Sequence, residues 1–247
     1  MIYVHPQAKP FFLAGGKEIG LLFIHGFTAS PSEVLPVAQI LHQKQKITVS
    51  GILLPGHGTH PAFLNQTTWQ DWYRAVEQEA SYLLAHYAEV YLAGLSMGGL
   101  LALHAAASLP GIKGVITINA PIYNRYPVLT WLAPVIQWIK PYFPKKKDKR
   151  MQELERKGRF AYRCHPVRAF RSMQDLRALV VKELPFIEVP VLALQSVYDE
   201  AVDVKSLSFI IENIKKAEVK GVKLYHSGHI ATMEEPEKVA EEIISFI

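Results

Sequence analysis

A single cysteine, Cys164, stands among 247 residues, so no disulfide can form within the chain. That usage suits a reducing compartment. Long apolar runs are also missing. The most hydrophobic stretch, Val128 to Ile139, is interrupted by Thr130, Pro134 and Gln137, and it falls short of the roughly 20 residues a bilayer span requires. Met1 to Glu18 carry no basic start followed by an apolar run, so no secretory leader is expected. These absences together predict a soluble, cytoplasmic protein. The chain has no phosphate-cradling glycine loop and no dinucleotide fingerprint. His57/His60 and His226/His229 are closely spaced pairs, but neither has a third ligand beside it in the sequence. Neither a metal nor a cofactor is expected. Internal repeats and low-complexity tracts are absent too.

The chain does have a large apolar fraction, 49%, against 20% charged residues. That balance builds a packed core and excludes disorder, and the length suits one α/β domain. The net charge of +5 is unevenly spread. Lys140 to Arg177 holds 13 Lys or Arg and 4 Asp or Glu, a local +9 that leaves −4 for the rest. A basic block can attract nucleic acid or an anionic membrane surface. No nucleic-acid-binding motif accompanies it, so a nucleic-acid partner is not expected. Trp131, Leu132, Trp138 and Phe143 lie beside the lysines, which allows weak membrane-interface contact through an amphipathic surface. Packing of those aromatics on the core is the competing reading.

Apolar β-rich runs alternate with helical patterns, the signature of a parallel sheet with crossover helices. Strands are predicted at Ile19–His25, Ile47–Leu54, Glu89–Leu95, Ile112–Asn119, Val189–Ser196 and Val219–His226. Ser30-Pro-Ser-Glu33 has the spacing of a capping box with proline at the first helical position, so a helix is predicted from there to about His42. Thr68, with Asp71 in the first turn, opens a longer helix to about Tyr87. Further helices are predicted at Met97–Ser108, at Asp203–Ile214 and from Pro236 onward. The alternation stops between Pro121 and Ile187. The expectation is one domain, with core 1–120 and 188–247 and a helical cap inserted at about 121–187. Leu129, Leu132, Ile136 and Ile139 at helical spacing support the helical character of the cap.

Gly94-Leu-Ser-Met-Gly98 matches Gly-x-Ser-x-Gly between an apolar strand and an apolar helix, the setting of a nucleophile elbow. Such a sharp turn needs small residues on both sides of the serine. The Met97 amide, at the helix start, can face developing negative charge. A serine hydroxyl needs a base and an orienting acid. Asp199 follows one predicted strand and His229 the next, both at the carboxyl ends where open α/β sheets build sites. Glu200 and Asp203 are rival acids, Asp203 having the position of a helix cap. His226 is a rival base, but it ends a strand, whereas His229 follows Ser227-Gly228 in a turn able to project it. Phe27, after the first central strand, is placed to supply a second oxyanion amide. His25 and His57 read as loop residues that pack and hydrogen-bond. Cys164 reads as a small buried residue.

On these residues the chain resembles the α/β-hydrolase family over nearly its whole length. More narrowly it is similar to the bacterial carboxylesterase and monoacylglycerol lipase branch. The resemblance rests on His25-Gly-Phe-Thr28, Pro55-Gly-His-Gly58, Gly94-Leu-Ser-Met-Gly-Gly99, Asn119-Ala-Pro121, Tyr198-Asp199 and Ser227-Gly-His229. It implies a mostly parallel central sheet flanked by helices, a triad of Ser96, Asp199 and His229, and oxyanion donors at Phe27 and Met97. It implies hydrolysis of small-molecule esters of short to medium acyl chains without a cofactor. Another bond type (thioester, amide, lactone or C–C) is the alternative within the same fold. A non-catalytic binding protein on this fold is a further alternative, and it would be expected to carry a broken triad. One departure from the pattern is Ser196, where many relatives have glycine before the acid loop.

Overall fold

The computed structural model describes residues 3–125, 141–145 and 149–247. Along the chain come β1 (Phe11–Leu13), β2 (Ile19–Ile24), α1 (Leu35–Gln45), β3 (Thr48–Ile52), α2 (Pro61–Leu64), α3 (Trp69–His86), β4 (Glu89–Leu95), α4 (Met97–Ser108) and β5 (Gly114–Ile118). After them come β6 (Tyr142–Pro144), α5 (Lys149–Arg156), β7 (Cys164–Pro166), α6 (Val167–Glu183), β8 (Val191–Ser196), α7 (Lys205–Asn213), β9 (Val219–Leu224), α8 (Ala231–Glu234) and α9 (Pro236–Ile244).

Among the described residues, seven strands form one sheet in the order β1-β3-β2-β4-β5-β8-β9, in which β1 alone runs antiparallel, with Phe12 opposite Ser50. The other pairs are parallel, as the crossover pattern requires. The central strands β4 and β5 are apolar on both faces because helices cover both sides. One face packs against α3, α4, α6 and α7, the other against α1 and α9. Edge strand β9 instead exposes Lys220 and Lys223, charges that discourage pairing with another chain. β1 is an unpredicted element: three residues are too few for alternation to register.

The predicted helices recur with small boundary changes. Thr68 opens α3 as expected, its N–H donating to Asp71 Oδ2 at 2.9 Å. Trp72, Val76, Ala80 and Leu83 form the buried stripe of that helix. The capping box at Ser30 does not form. Pro31–Glu33 is a single 3-10 turn, the α-helix starts only at Leu35, and the Ser30 hydroxyl meets Ser32 Oγ at 2.8 Å. The Glu33 carboxylate is engaged elsewhere, as described below.

Within segment 121–187, α5 is helical as expected. β6 and β7 differ from that expectation, pairing as an antiparallel ribbon with Phe143 opposite His165. Helix α6 buries Ala169, Met173, Leu176 and Val180 against α3 and α4. The stretch 167–187 thus packs on the helices that flank the nucleophile strand. The helix predicted through Leu129, Leu132, Ile136 and Ile139 lies outside the described residues, as do Trp131 and Trp138. Among the described residues, no helix is long and apolar enough to cross a membrane.

Candidate active site

Three loops at the carboxyl ends of β4, β8 and β9 bring Ser96, Asp199 and His229 together. Ser96 follows β4 directly and opens α4. Its backbone sits at φ 56°, ψ −119°, a region a side chain rarely occupies. Its N–H is held by the Ile118 carbonyl of β5 at 2.8 Å. The flanking glycines are required by contact. A Cβ on Gly98 would lie 2.2 Å from the Ile24 carbonyl oxygen, and one on Gly94 would lie 2.1 Å from the Gly98 backbone.

His229 Nε2 lies 2.9 Å from Ser96 Oγ, and its Nδ1 lies 2.8 Å from Asp199 Oδ2. The imidazole therefore bridges hydroxyl and carboxylate, with Nδ1–H donating to the acid. Asp199 Oδ1 accepts the amides of Ala201 and Val202 at 2.7 and 2.9 Å. Burial favours protonation of Asp199, but His229 and these amides outweigh it and hold the carboxyl below its ordinary range. Burial likewise disfavours a charged His229, yet the Asp199 charge and hydrogen bond, with Glu200 and Glu33, raise its pKa above the ordinary histidine value. Such an arrangement can withdraw the serine proton and stabilise the imidazolium that results.

The rival residues do other work. Glu200 Oε2 accepts the backbone N–H of His229 at 3.3 Å. Asp203 Oδ1 accepts the Lys205 amide at 2.9 Å, at the start of α7. His226 is exposed, and its backbone N–H meets Glu235 Oε2. His25 is buried, donating from Nδ1 to the Gly26 carbonyl and accepting the Leu54 amide at Nε2. His57 is also buried, with Nδ1 on the Pro55 carbonyl, and burial keeps its pKa well below the ordinary value. His60 Nδ1 accepts the Ala62 amide at the start of α2. Cys164 is partly exposed rather than buried. It belongs to the short ribbon strand β7, where a side chain is only half covered. Among the described residues, no group of three or more His, Cys, Asp or Glu is gathered for a metal.

Phe27 lies in the loop after β2, and Met97 is the first residue of α4. The loop runs against the serine: a Cβ on Gly26 would lie 3.4 Å from Ser96 Cβ. Glu33 fixes that loop. Its Oε1 accepts the Gly26 amide at 2.7 Å, and its Oε2 takes Arg159 Nε at 3.0 Å. Glu33 and Arg159 are both buried. With both carboxylate oxygens so engaged, Glu33 is not available to reach back to the Ser30 amide, which is why the predicted capping box gives way.

Asn119 is a further residue whose role the sequence left unassigned. At φ 52° it closes β5, and its Nδ2 donates to the carbonyls of Gly228 and His229 at 3.1 and 2.9 Å. Its Oδ1 accepts the Ser196 amide at 2.7 Å. The departure at Ser196 fits into this network: its buried hydroxyl meets Asn119 Nδ2 at 3.1 Å and Ser227 Oγ at 3.0 Å.

The basic block is partly neutralised from outside itself. Arg159 pairs with Glu33, and Arg150 pairs with Glu200 and Glu234. Lys145 donates to Thr28 Oγ1 at 2.5 Å, and burial together with the nearby Arg159 lowers its pKa to about 7. Lys145 is therefore taken up beside the Phe27 loop, while Lys146 and Lys147 lie outside the described residues.

A sheet of this order, with a serine elbow and an acid and a histidine at successive strand ends, is the α/β-hydrolase arrangement. The model of the alpha/beta hydrolase family matches residues 21–242, and the chain belongs to that family. It is 30% identical over 231 residues to the thermostable monoacylglycerol lipase of Bacillus sp. (strain H-257), covering 92% of this chain and 88% of that protein. It is 27% identical over 248 residues to a carboxylesterase of Bacillus subtilis (strain 168), covering 97% and 96%. A structure from work on two metagenome-derived lipolytic enzymes, LipS and LipT, superposes with a TM-score of 0.87 at 29% identity, covering 99% and 98% of the two chains. The monoacylglycerol lipase of Paleococcus ferrophilus shares the fold, with a TM-score of 0.76 at 19% identity and coverage of 96% and 98%.

Proposed function

We propose that the protein is a serine hydrolase of carboxylic esters with short to medium acyl chains, acting as a carboxylesterase or monoacylglycerol lipase through an acyl-enzyme on Ser96. The observation that carries this is the bridging imidazole, with His229 Nε2 2.9 Å from the Ser96 hydroxyl and Nδ1 2.8 Å from Asp199. Relatives matched over most of their length bear the names monoacylglycerol lipase and carboxylesterase.

His229 removes the Ser96 proton as Oγ attacks the ester carbonyl. Asp199 holds the tautomer and offsets the imidazolium charge. The amides of Phe27 and Met97 receive the oxyanion, a contribution of about 3–4 kcal/mol per donor in hydrolases of this kind. The alcohol leaves with the proton from His229. Water, deprotonated by His229, then cleaves the acyl-enzyme and returns Ser96. The partner is thus a small-molecule ester, and the single free cysteine supports a reducing, cytoplasmic setting.

The test is turnover of p-nitrophenyl esters from acetate to palmitate, beside monoacylglycerols, a thioester and an anilide, by the parent protein and Ser96→Ala. Ester turnover that vanishes in the variant is the expected result, and the chain-length optimum separates esterase from lipase behaviour. Turnover that survives Ser96→Ala, or a preference for thioester or anilide, overturns the reading.

A further inference from the structure

Arg150 stands on α5, outside the three loops of the candidate site, yet two carboxylates that it meets are bound to the histidine loop. Its guanidinium meets both oxygens of Glu234, with Nη2 2.6 Å from Oε2 and Nε on Oε1. Its Nη1 lies 3.5 Å from Glu200 Oε2. Glu234 Oε2 also accepts the Gly228 amide at 2.9 Å, and Glu200 Oε2 accepts the His229 amide at 3.3 Å. Two successive amides of the base loop therefore hang on two carboxylates that one arginine joins. A second observation shows how closely this contact is built. A Cβ on Gly228 would lie 2.2 and 2.4 Å from the Arg150 Nη1 and Nη2 nitrogens. The glycine of Ser227-Gly-His229 thus leaves the space the guanidinium fills.

We propose that Arg150 is a positioning residue that ties α5 to the base loop and the acid loop through Glu234 and Glu200, fixing the His229 imidazole between Ser96 and Asp199. The proposal rests on the reading of Ser96, His229 and Asp199 as the catalytic set. It also assigns Arg150 an electrostatic part. The charged groups around His229 are Asp199 and Glu200 of the acid loop, Glu33 with its partner Arg159, and Glu234 and Glu200 with theirs, Arg150. Arg125 touches the Asp199 carbonyl at 2.7 Å. Without Arg150, the Glu200 charge acts on the imidazole uncompensated. His229 then holds its proton to higher pH, and its ring is less firmly aimed at Ser96.

The experiment compares the parent with Arg150→Met, Arg150→Lys and a surface control, Lys157→Met, which removes only the exposed pair with Glu153. The His229 titration is followed by NMR, assigned with His229→Gln, and the pH profiles of kcat and kcat/KM are measured beside it. In Arg150→Met the His229 titration and the acid limb of kcat/KM move up together by about half a pH unit, from lost charge compensation. At the plateau kcat falls about tenfold with KM little changed, as expected for a misaimed base. Arg150→Lys returns the titration to the parent value but only part of kcat, because an ammonium lacks the two-pronged contact. Lys157→Met matches the parent in every readout.

Should Arg150→Met fold poorly, Arg150→Gln, which keeps a polar side chain but no charge, carries the same test with the same sign. An unmoved titration in all of these variants overturns the proposal, even if activity falls with Tm. The NMR readout needs no substrate. A parent without ester turnover whose His229 titration still responds to Arg150 removes the proposed function and leaves this inference standing.

Discussion

The side-chain amide of Asn119 donates to the His229 carbonyl at 2.9 Å while its oxygen accepts the Ser196 amide at 2.7 Å. One side chain at the end of β5 thus spans the strand that leads to the acid and the loop that carries the base. In Asn119→Ala the buried Ser196 amide and the Gly228 and His229 carbonyls lose their partner. Unsatisfied buried groups cost about 1–3 kcal/mol each, so a total loss of about 3 kcal/mol, partly relieved by relaxation, is expected in urea unfolding. The kcat falls with it. Asn119→Asp fares worse, since it sets a carboxylate against two carbonyls. An Asn119→Ala protein with parental urea midpoint and kcat would show that the network is ornamental.

Glu33→Gln tests the anchor of the Phe27 loop. The change keeps the size of the side chain but leaves the Arg159 charge buried and unpaired. Breaking such a pair from one side costs about 3–5 kcal/mol, whereas replacing both members with apolar groups is often close to neutral. The double variant Glu33→Gln/Arg159→Met should therefore recover much of the stability lost in Glu33→Gln. Activity should return only in part, because the glutamine oxygen offers the Gly26 amide a neutral acceptor weaker than the carboxylate. Full recovery of both quantities in the double variant would detach the loop from Glu33.

Much of this site was legible before the fold. The elbow announces itself because a strand-to-helix turn admits only small neighbours, and that need is written at Gly94 and Gly98. Asp199 and His229 follow from the apolar strands just before them. Glu33 was misread for a physical reason: its spacing from Ser30 satisfies a local capping rule, but its carboxylate is claimed by Arg159, more than a hundred residues away. Arg150 was hidden in the same way within a basic block whose partners lie outside it. Local patterns report local bonds. Asn119 left a fainter trace, a polar residue at the end of an apolar strand where an Asn can adopt positive φ.

The elevated pKa of His229 sets a pH dependence. A neutral imidazole is needed to accept the Ser96 proton, so kcat/KM should be lost as pH falls through a limb above the ordinary histidine value of about 6.5. Asp199→Asn removes the main raising influence, so the limb moves down while kcat collapses. The stability linkage has two signs. The raised histidine stabilises the fold most below its unfolded pKa, and that share fades as pH rises through its folded pKa. The lowered Asp199 stabilises above its unfolded pKa, and that share fades as pH falls through its folded pKa. Thermal unfolding from pH 4 to 9 in the parent and in His229→Gln would expose the pair as a difference that is largest between those limits. A flat difference across that range would deny the coupling.

Ser96→Ala and Ser96→Gly both abolish turnover, and they differ in stability. Position 96 keeps φ 56°, ψ −119°, a conformation that costs a residue with a side chain about 1–3 kcal/mol. Alanine retains that strain and glycine releases it. Glycine gives back roughly 0.5–1 kcal/mol through its freer unfolded chain. The balance leaves Ser96→Gly more stable than Ser96→Ala by about 1 kcal/mol, a Tm about 2–4 °C higher for a domain of this size. Both variants lose the same hydroxyl and the same contact with His229, so the comparison isolates the backbone. An alanine variant that melts at or above the glycine one would mean that the strand-to-helix turn relaxes once the serine is gone, and that the parent stores no strain at the nucleophile.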